Sequence, residues 1–128
     1  MAFLLDTNVA IHFRDDDPVI APKVAALPNP VLLSIITQVE LEGGVYRDPA
    51  LVSFRRRGLD VMLEDMPVLP FGAAAAEAYR RIVEATGYSR RKLLDRMIAA
   101  QALVHRATLV TCNPDDFRDV PGLDLLAW

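Results

Sequence analysis

The sequence predicts an α/β fold, an α/β/α sandwich around a short central parallel sheet of four to five strands. Short apolar runs alternate along the chain with helix-like stretches, the order expected when each strand is followed by a crossover helix. The strand-like runs are apolar throughout, as a sheet covered on both faces requires. Cap and turn residues fall between the segments rather than inside them. The length of 128 residues, 52% of them hydrophobic, suits one domain over 1–128 with a core of its own.

Ala2–Leu5 reads as the first strand and Asn8–Arg14 as a turn or two of helix. Asp17-Pro18 pairs an N-cap acid with proline at the first helical position, opening a helix that ends near Leu27, before Pro28 and Pro30. Val31–Ser34 is the second strand. Thr37 and Glu40 have capping-box spacing, which predicts a helix starting there and stopping at Gly43-Gly44. Pro49 to about Leu63 is helical, and Pro67–Leu69 is a third short strand. Ala73–Ala85 is an alanine-rich helix ended by Gly87. Ser89 caps the next helix, which runs to about Arg106. Thr108–Thr111 is the fourth strand, Asn113-Pro114 a turn, and Leu123–Leu126 a candidate fifth strand.

Composition narrows the function. The single cysteine, Cys112, excludes a disulfide framework and a multi-cysteine zinc site, and His12 and His105 are too few and too scattered for zinc. The N-terminus lacks a basic region and Asp6 interrupts its apolar run, so no signal peptide is expected. No run approaches the roughly 20 apolar residues of a membrane helix. The expectation is a soluble cytoplasmic protein. A net charge of −3 does not advertise nucleic-acid binding. The charge is uneven, however, with basic clusters at Arg55–Arg57, Arg80–Arg81 and Arg90–Lys92 and acidic ones at Asp15–Asp17 and Asp115–Asp116.

The acids carry the chemistry. Asp6 ends the first strand, Glu40 lies in the helix after the second, and Asp115 and Asp116 follow the fourth. In a parallel sheet these positions open toward one edge, where ligands bind. Asp95 sits inside a helix, with Ile98, Ala99 and Ala102 on its own face, a costly place for an unpaired carboxylate. Each acid has a structural alternative: an Asx-turn at Asp6, a capping box at Glu40, a turn cap at Asp115 or Asp116, an arginine partner for Asp95. Together, four acids at one edge would repel one another, and a hard divalent cation relieves that repulsion. Such a site suits phosphoryl transfer.

The ordered motifs resemble a known family. D-T-N follows the first strand; then come S-x-x-T-x-x-E, D-x-x-I-A-A-x-A-L, and L-V-T-x-N-x-x-D-F with V-P-G-L behind it. The set resembles PIN-domain ribonucleases, and within them the VapC-type toxins of prokaryotic toxin–antitoxin pairs, over Leu4–Trp128. The resemblance implies a PIN-like fold and an endoribonuclease that hydrolyses RNA with metal-activated water. It implies Mg²⁺ or Mn²⁺ bound by Asp6, Glu40, Asp95 and Asp116, the last favoured over Asp115 by the spacing before Phe117. Thr7, Asn8, Thr111 and Asn113 fall where the family places supporting polar residues. A small antitoxin and a homodimer are the implied partners, and Arg90, Arg91 and Arg96 are candidate contacts to the RNA backbone.

Three other readings compete. A housekeeping PIN nuclease in RNA processing would share the site but not the antitoxin. A noncatalytic α/β binding module would not need a full set of acids. A phosphoacceptor receiver domain would need a lysine late in the chain near the acids, and the only lysines, Lys23 and Lys92, follow no strand.

Overall fold

The computed structural model describes residues 1–128. Its strands are β1 (Ala2–Leu5), β2 (Val31–Ser34), β3 (Val68–Leu69), β4 (Ala107–Thr111) and β5 (Leu125–Ala127). They form one sheet in the order β3-β2-β1-β4-β5, and every neighbouring pair is parallel. The helices are α1 (Thr7–Arg14), α2 (Ile20–Ala25), α3 (Ile35–Arg47), α4 (Val52–Asp65), α5 (Ala73–Thr86) and α6 (Leu93–His105). The expected sandwich is present, with five strands.

Alternation along the strands divides the core in two. Leu5, Val31, Leu33 and Val110 join residues of α1 to α4, including Val9, Leu41, Leu59 and Met62. Leu4, Leu32 and Leu109 face the other way, onto Ile82 of α5, Ile98 and Ala99 of α6, and Phe117. Both sheet faces are therefore covered, which is why the strands are apolar on both parities.

Several boundaries differ from the sequence expectation. The helix after β2 begins at Ile35, and its N-cap is Ser34, whose hydroxyl accepts the Ile36 N–H at 3.0 Å. Thr37 and Glu40 therefore form no capping box, and Glu40 lies in the second turn. Gly43-Gly44 does not stop the helix, which continues to Arg47. Glycine weakens a helix by roughly 0.5–1 kcal/mol relative to alanine but keeps its hydrogen bonds. A Cβ at Gly44 would stand 2.9 Å from Nη1 of Arg14, so tertiary packing calls for the small residue.

Asp17 does cap, accepting the N–H groups of Val19 and Ile20 at 2.9 and 3.0 Å, but regular helix starts only at Ile20. Pro49–Leu51 is a 3₁₀ turn capped by Asp48 ahead of α4. Ser89 caps the turn before α6, accepting the Lys92 N–H at 3.3 Å, rather than the helix itself. The last strand lies at Leu125–Ala127, not Leu123–Leu126.

Candidate active site

The chain winds from β1 to β2 and β3 on one side, then crosses to β4 and β5 on the other. The winding reverses between β1 and β4, and their carboxyl ends flank the crevice such a reversal leaves. Asp6 follows β1 directly and is 3% exposed. Its Oδ1 accepts the Val9 N–H at 2.8 Å and so caps α1. Its Oδ2 accepts the Thr111 hydroxyl, from the end of β4, at 2.5 Å. Thr111 in turn accepts the Asn113 N–H at 2.9 Å, fixing the turn after β4. Burial raises the Asp6 carboxyl above its usual range, while the bonds from Thr111 and Val9 oppose that shift.

The second wall comes from α1 and α3. The Thr7 hydroxyl donates to Oε1 of Glu40 at 3.0 Å and lies 3.0 Å from the hydroxyl of Thr37. A hydroxyl has one proton to give. Thr7 spends it on Glu40, so Thr37, fully buried, must donate to Thr7. Glu40 is therefore aimed by a two-hydroxyl relay anchored in the interior. Thr37 had only a capping role in the sequence reading. The signal for it was the three-residue step from Thr37 to Glu40, which places both on one helix face.

Asp95 supplies the third wall, from the first turn of α6. It has no arginine partner, for Arg96 turns away to Asp119. Its carboxyl is pushed up to about 6, first by burial and then by the charges of Asp116, Asp6 and Glu40. Asp116, Asp6 and Glu40 thus all lie near enough for their charges to act on Asp95.

All four acids line a cleft of about 320 Å³ together with Thr7, Asn8 and Asn113, and with Arg90 and Arg91. Thr111 lies buried beneath it. Of the two adjacent acids after β4, Asp116 faces the cleft, whereas Asp115 is 83% exposed and pairs with Arg118. Arg96 corrects the sequence expectation. It is 3% exposed, donates to the Gly87 carbonyl at 2.8 Å and to Asp119 at 2.9 Å, and does not line the cleft. It ties the α5–α6 connection to the segment before β5 and has no surface to offer RNA.

The donor set, carboxylate oxygens with hydroxyl and amide support, suits a hard divalent cation in kind. As the side chains stand, no three of His, Cys, Asp or Glu are grouped tightly enough to hold a single ion. The chemistry fits, while the spacing leaves the carboxylates spread around the cleft.

The PIN-domain family model matches residues 3–123. The chain belongs to the PIN-domain family. Ribonuclease VapC2 of Rickettsia felis is 29% identical to this PIN chain, over 100% of this chain and 98% of that protein. Among solved structures, VapBC2 from Rickettsia felis bound to a promoter DNA fragment superimposes with a TM-score of 0.84 at 26% identity, covering 100% of this chain and 99% of that one. DNA-bound VapBC from Salmonella typhimurium gives a TM-score of 0.84 at 25% identity, covering 100% and 98%. These PIN relatives match the whole length of the sheet and both helical layers. No helix here is long and apolar enough to cross a membrane.

Proposed function

We propose that this PIN protein is a metal-dependent endoribonuclease, the toxin of a toxin–antitoxin pair, acting as one domain over residues 1–128 in the cytoplasm. The observation that carries this reading is the convergence of Asp6, Glu40, Asp95 and Asp116, from four separate segments, on one cleft at the sheet's switch point. Likeness to VapC ribonucleases and VapBC complexes supports the toxin role and a small antitoxin partner.

The four carboxylates would hold Mg²⁺ or Mn²⁺. Such an ion would act as a Lewis acid toward a phosphodiester and lower the pKa of water. The chain's own residues do the positioning. Thr111 and the α1 N-terminus orient Asp6, while the Thr37–Thr7 relay orients Glu40. Asn8 and Asn113 present amides at the rim, where they can hydrogen-bond water or sugar hydroxyls. Arg90 and Arg91, exposed at the cleft, contribute positive charge toward the RNA backbone. No histidine lines the cleft, so proton transfer does not call for an imidazole. A homodimer is part of this reading, supported by the family likeness and the high apolar content of a short chain.

The test is cleavage of single-stranded RNA by purified protein. Mg²⁺ or Mn²⁺ should support it and EDTA should stop it. Expression alone should arrest bacterial growth, with relief by the cognate antitoxin. Folded protein that cuts no RNA with either ion would overturn the nuclease reading. Active protein that leaves growth untouched would overturn the toxin reading.

A further inference from the structure

A second pocket, of about 750 Å³, adjoins the acid cleft and shares Ile11 and Glu40 with it. Its lining includes Arg14, Arg47 and Arg55 with the glycine pair of α3, Gly43 and Gly44, and one further acid, Asp48. We propose that this arginine pocket binds a phosphate of the RNA backbone next to the one cleaved. The proposal rests on the ribonuclease reading and names where the strand continues beyond the acids.

Two of the guanidiniums are braced in place. Arg14 is 5% exposed, and its Nε and Nη2 donate to Asp15 at 2.9 and 3.2 Å. Its remaining nitrogen, Nη1, lies against Gly44. Arg55 donates Nη1 to the Gly44 carbonyl at 3.1 Å, and its Nε pairs with Asp15, 3.5 Å from Oδ1, so one carboxylate braces both guanidiniums. Arg47, the last residue of α3, is exposed at the pocket. Arg47 is the one of the three without a carboxylate partner, and a guanidinium suits phosphate oxygens better than a lysine ammonium does.

The glycines distinguish a site from a chance cluster of arginines. Gly44 is explained by packing, because a Cβ there would crowd Arg14. Gly43 is not, since a Cβ there would meet nothing within 4 Å. A glycine in mid-helix lowers helix stability and here relieves no internal clash. What it does is leave the pocket lining without a side chain at this position, so that an incoming chain can approach the backbone. The helix dipole accounts for an arginine at position 47 but not for the glycine one turn before it. The pocket also answers an electrostatic need. A polyanion entering a cleft of four carboxylates requires compensating charge nearby, and the chain as a whole carries −3.

The experiment measures binding of a fluorescent single-stranded RNA by anisotropy in Mg²⁺, across a range of salt, with every protein carrying Asp95→Asn to suppress cleavage. Arg47→Glu and Gly43→Leu are added singly, and Arg81→Glu, on α5 away from both pockets, is the charge control. Neither test residue supports the fold, so circular dichroism should be unchanged. Arg47→Glu should weaken binding several-fold and flatten the plot of log K against log salt by about 0.7 per lost phosphate contact. Gly43→Leu, which changes no charge, should weaken binding by filling the pocket. The control should bind as before.

RNA binding indifferent to both substitutions would overturn the proposal and leave the nuclease reading standing if the parent still cuts. Absence of RNA binding in every protein would overturn it as well. Displacement of the RNA from this pocket by a glutamate-rich peptide at lower concentration than by unlabelled RNA would reassign it to a protein partner.

Discussion

Asp6 and Asp95 face the same cleft, but their surroundings differ in kind. Asp6 stands at the carboxyl end of β1 with both oxygens hydrogen-bonded, one to the α1 backbone and one to Thr111. Asp95 stands on α6 over an apolar stripe with no cationic partner, its carboxyl raised to about 6 by burial and by three neighbouring acids. The strand-end acid serves the fold and the site together. The helix acid has no such hydrogen bonds, and its burial beside three other acids disfavours the charged form. On the proposed function, such a cleft has a hydrogen-bonded wall that sets position and a strained wall, disfavoured in its charged form, that a bound cation would relax.

The largest effect should come from the strained wall. Asp95→Asn should reduce metal-dependent cleavage by more than about 100-fold, since removing even an outer partner of a metal ligand costs roughly 10–100-fold. Its metal-free melting temperature should stay the same or rise. Retained cleavage in this variant would remove Asp95 from the site.

Glu40 lies between the two extremes, because the Thr7 hydroxyl holds it while it remains exposed to solvent. Glutamine can still accept that hydrogen bond but cannot supply the charge. Glu40→Gln should fold with a melting temperature within a few degrees of the parent and lose most RNase activity. Near-parental rates would leave Glu40 a purely structural residue.

Metal should stabilise the parent by roughly 2.7 kcal/mol at a free concentration about 100 times its dissociation constant. The gain should shrink sharply in Asp95→Asn. Calorimetric scans with Mg²⁺, Mn²⁺ and EDTA measure both, and a parent indifferent to either ion would contradict a cation site.

On the hydrogen-bonded wall the order of effects reverses. Asp6→Ala removes the α1 cap, about 0.5–2 kcal/mol, and leaves the Thr111 hydroxyl without its acceptor, about 1–3 kcal/mol when a buried donor goes unsatisfied. Chemical denaturation in EDTA should therefore show a clear loss for Asp6→Ala and none for Asp95→Asn. Equal stabilities would dissolve the distinction between the two walls.

The smallest effect is on pH. The Asp95 carboxyl holds its proton more tightly in the fold than at its ordinary value of 3.8. Its contribution to stability is then fully present below that value and lost as pH rises through about 6. In EDTA the parent should lose on the order of 1 kcal/mol relative to Asp95→Asn across this window, a figure discounted for a partly solvated side chain. Parallel pH profiles for the two proteins would show that Asp95 is not strained.

Much of this was legible in the chain itself. The bounds of β1 and β2 follow from short apolar runs ended by Asp6 and by the Asn29-Pro30 and Ser34 boundaries, because a doubly covered strand has a strong hydrophobic signature. Asp6, Asp95 and Asp116 were legible because each follows a strand or sits on an apolar helix face, where charge needs a reason, and Glu40 by its spacing after the second strand. Glycine at 43 and 44 misled because local propensity favours a stop, whereas α3 is held by packing on both sides of the pair. Arg96 misled because its partners, Gly87 and Asp119, lie in other segments of the chain.

The sequence by itself determined the α/β order, the alternation that builds two cores, and the four carboxylates with the threonines beside them. Those features depend on residue type and near-neighbour spacing, which local physics reads directly. The spacing before Phe117 favours Asp116 over Asp115, and the tertiary structure places Asp116 in the cleft; only the tertiary structure decided that Thr37 feeds Thr7 and Thr7 feeds Glu40, and that Arg96 is spent on Asp119. It alone brought Arg14, Arg47 and Arg55 together with Gly43 and Gly44 in a pocket next to the acids. Each of these depends on which way a side chain points once distant segments meet, and a hydrogen bond or ion pair formed across 23 to 105 residues of chain leaves no mark in the local sequence.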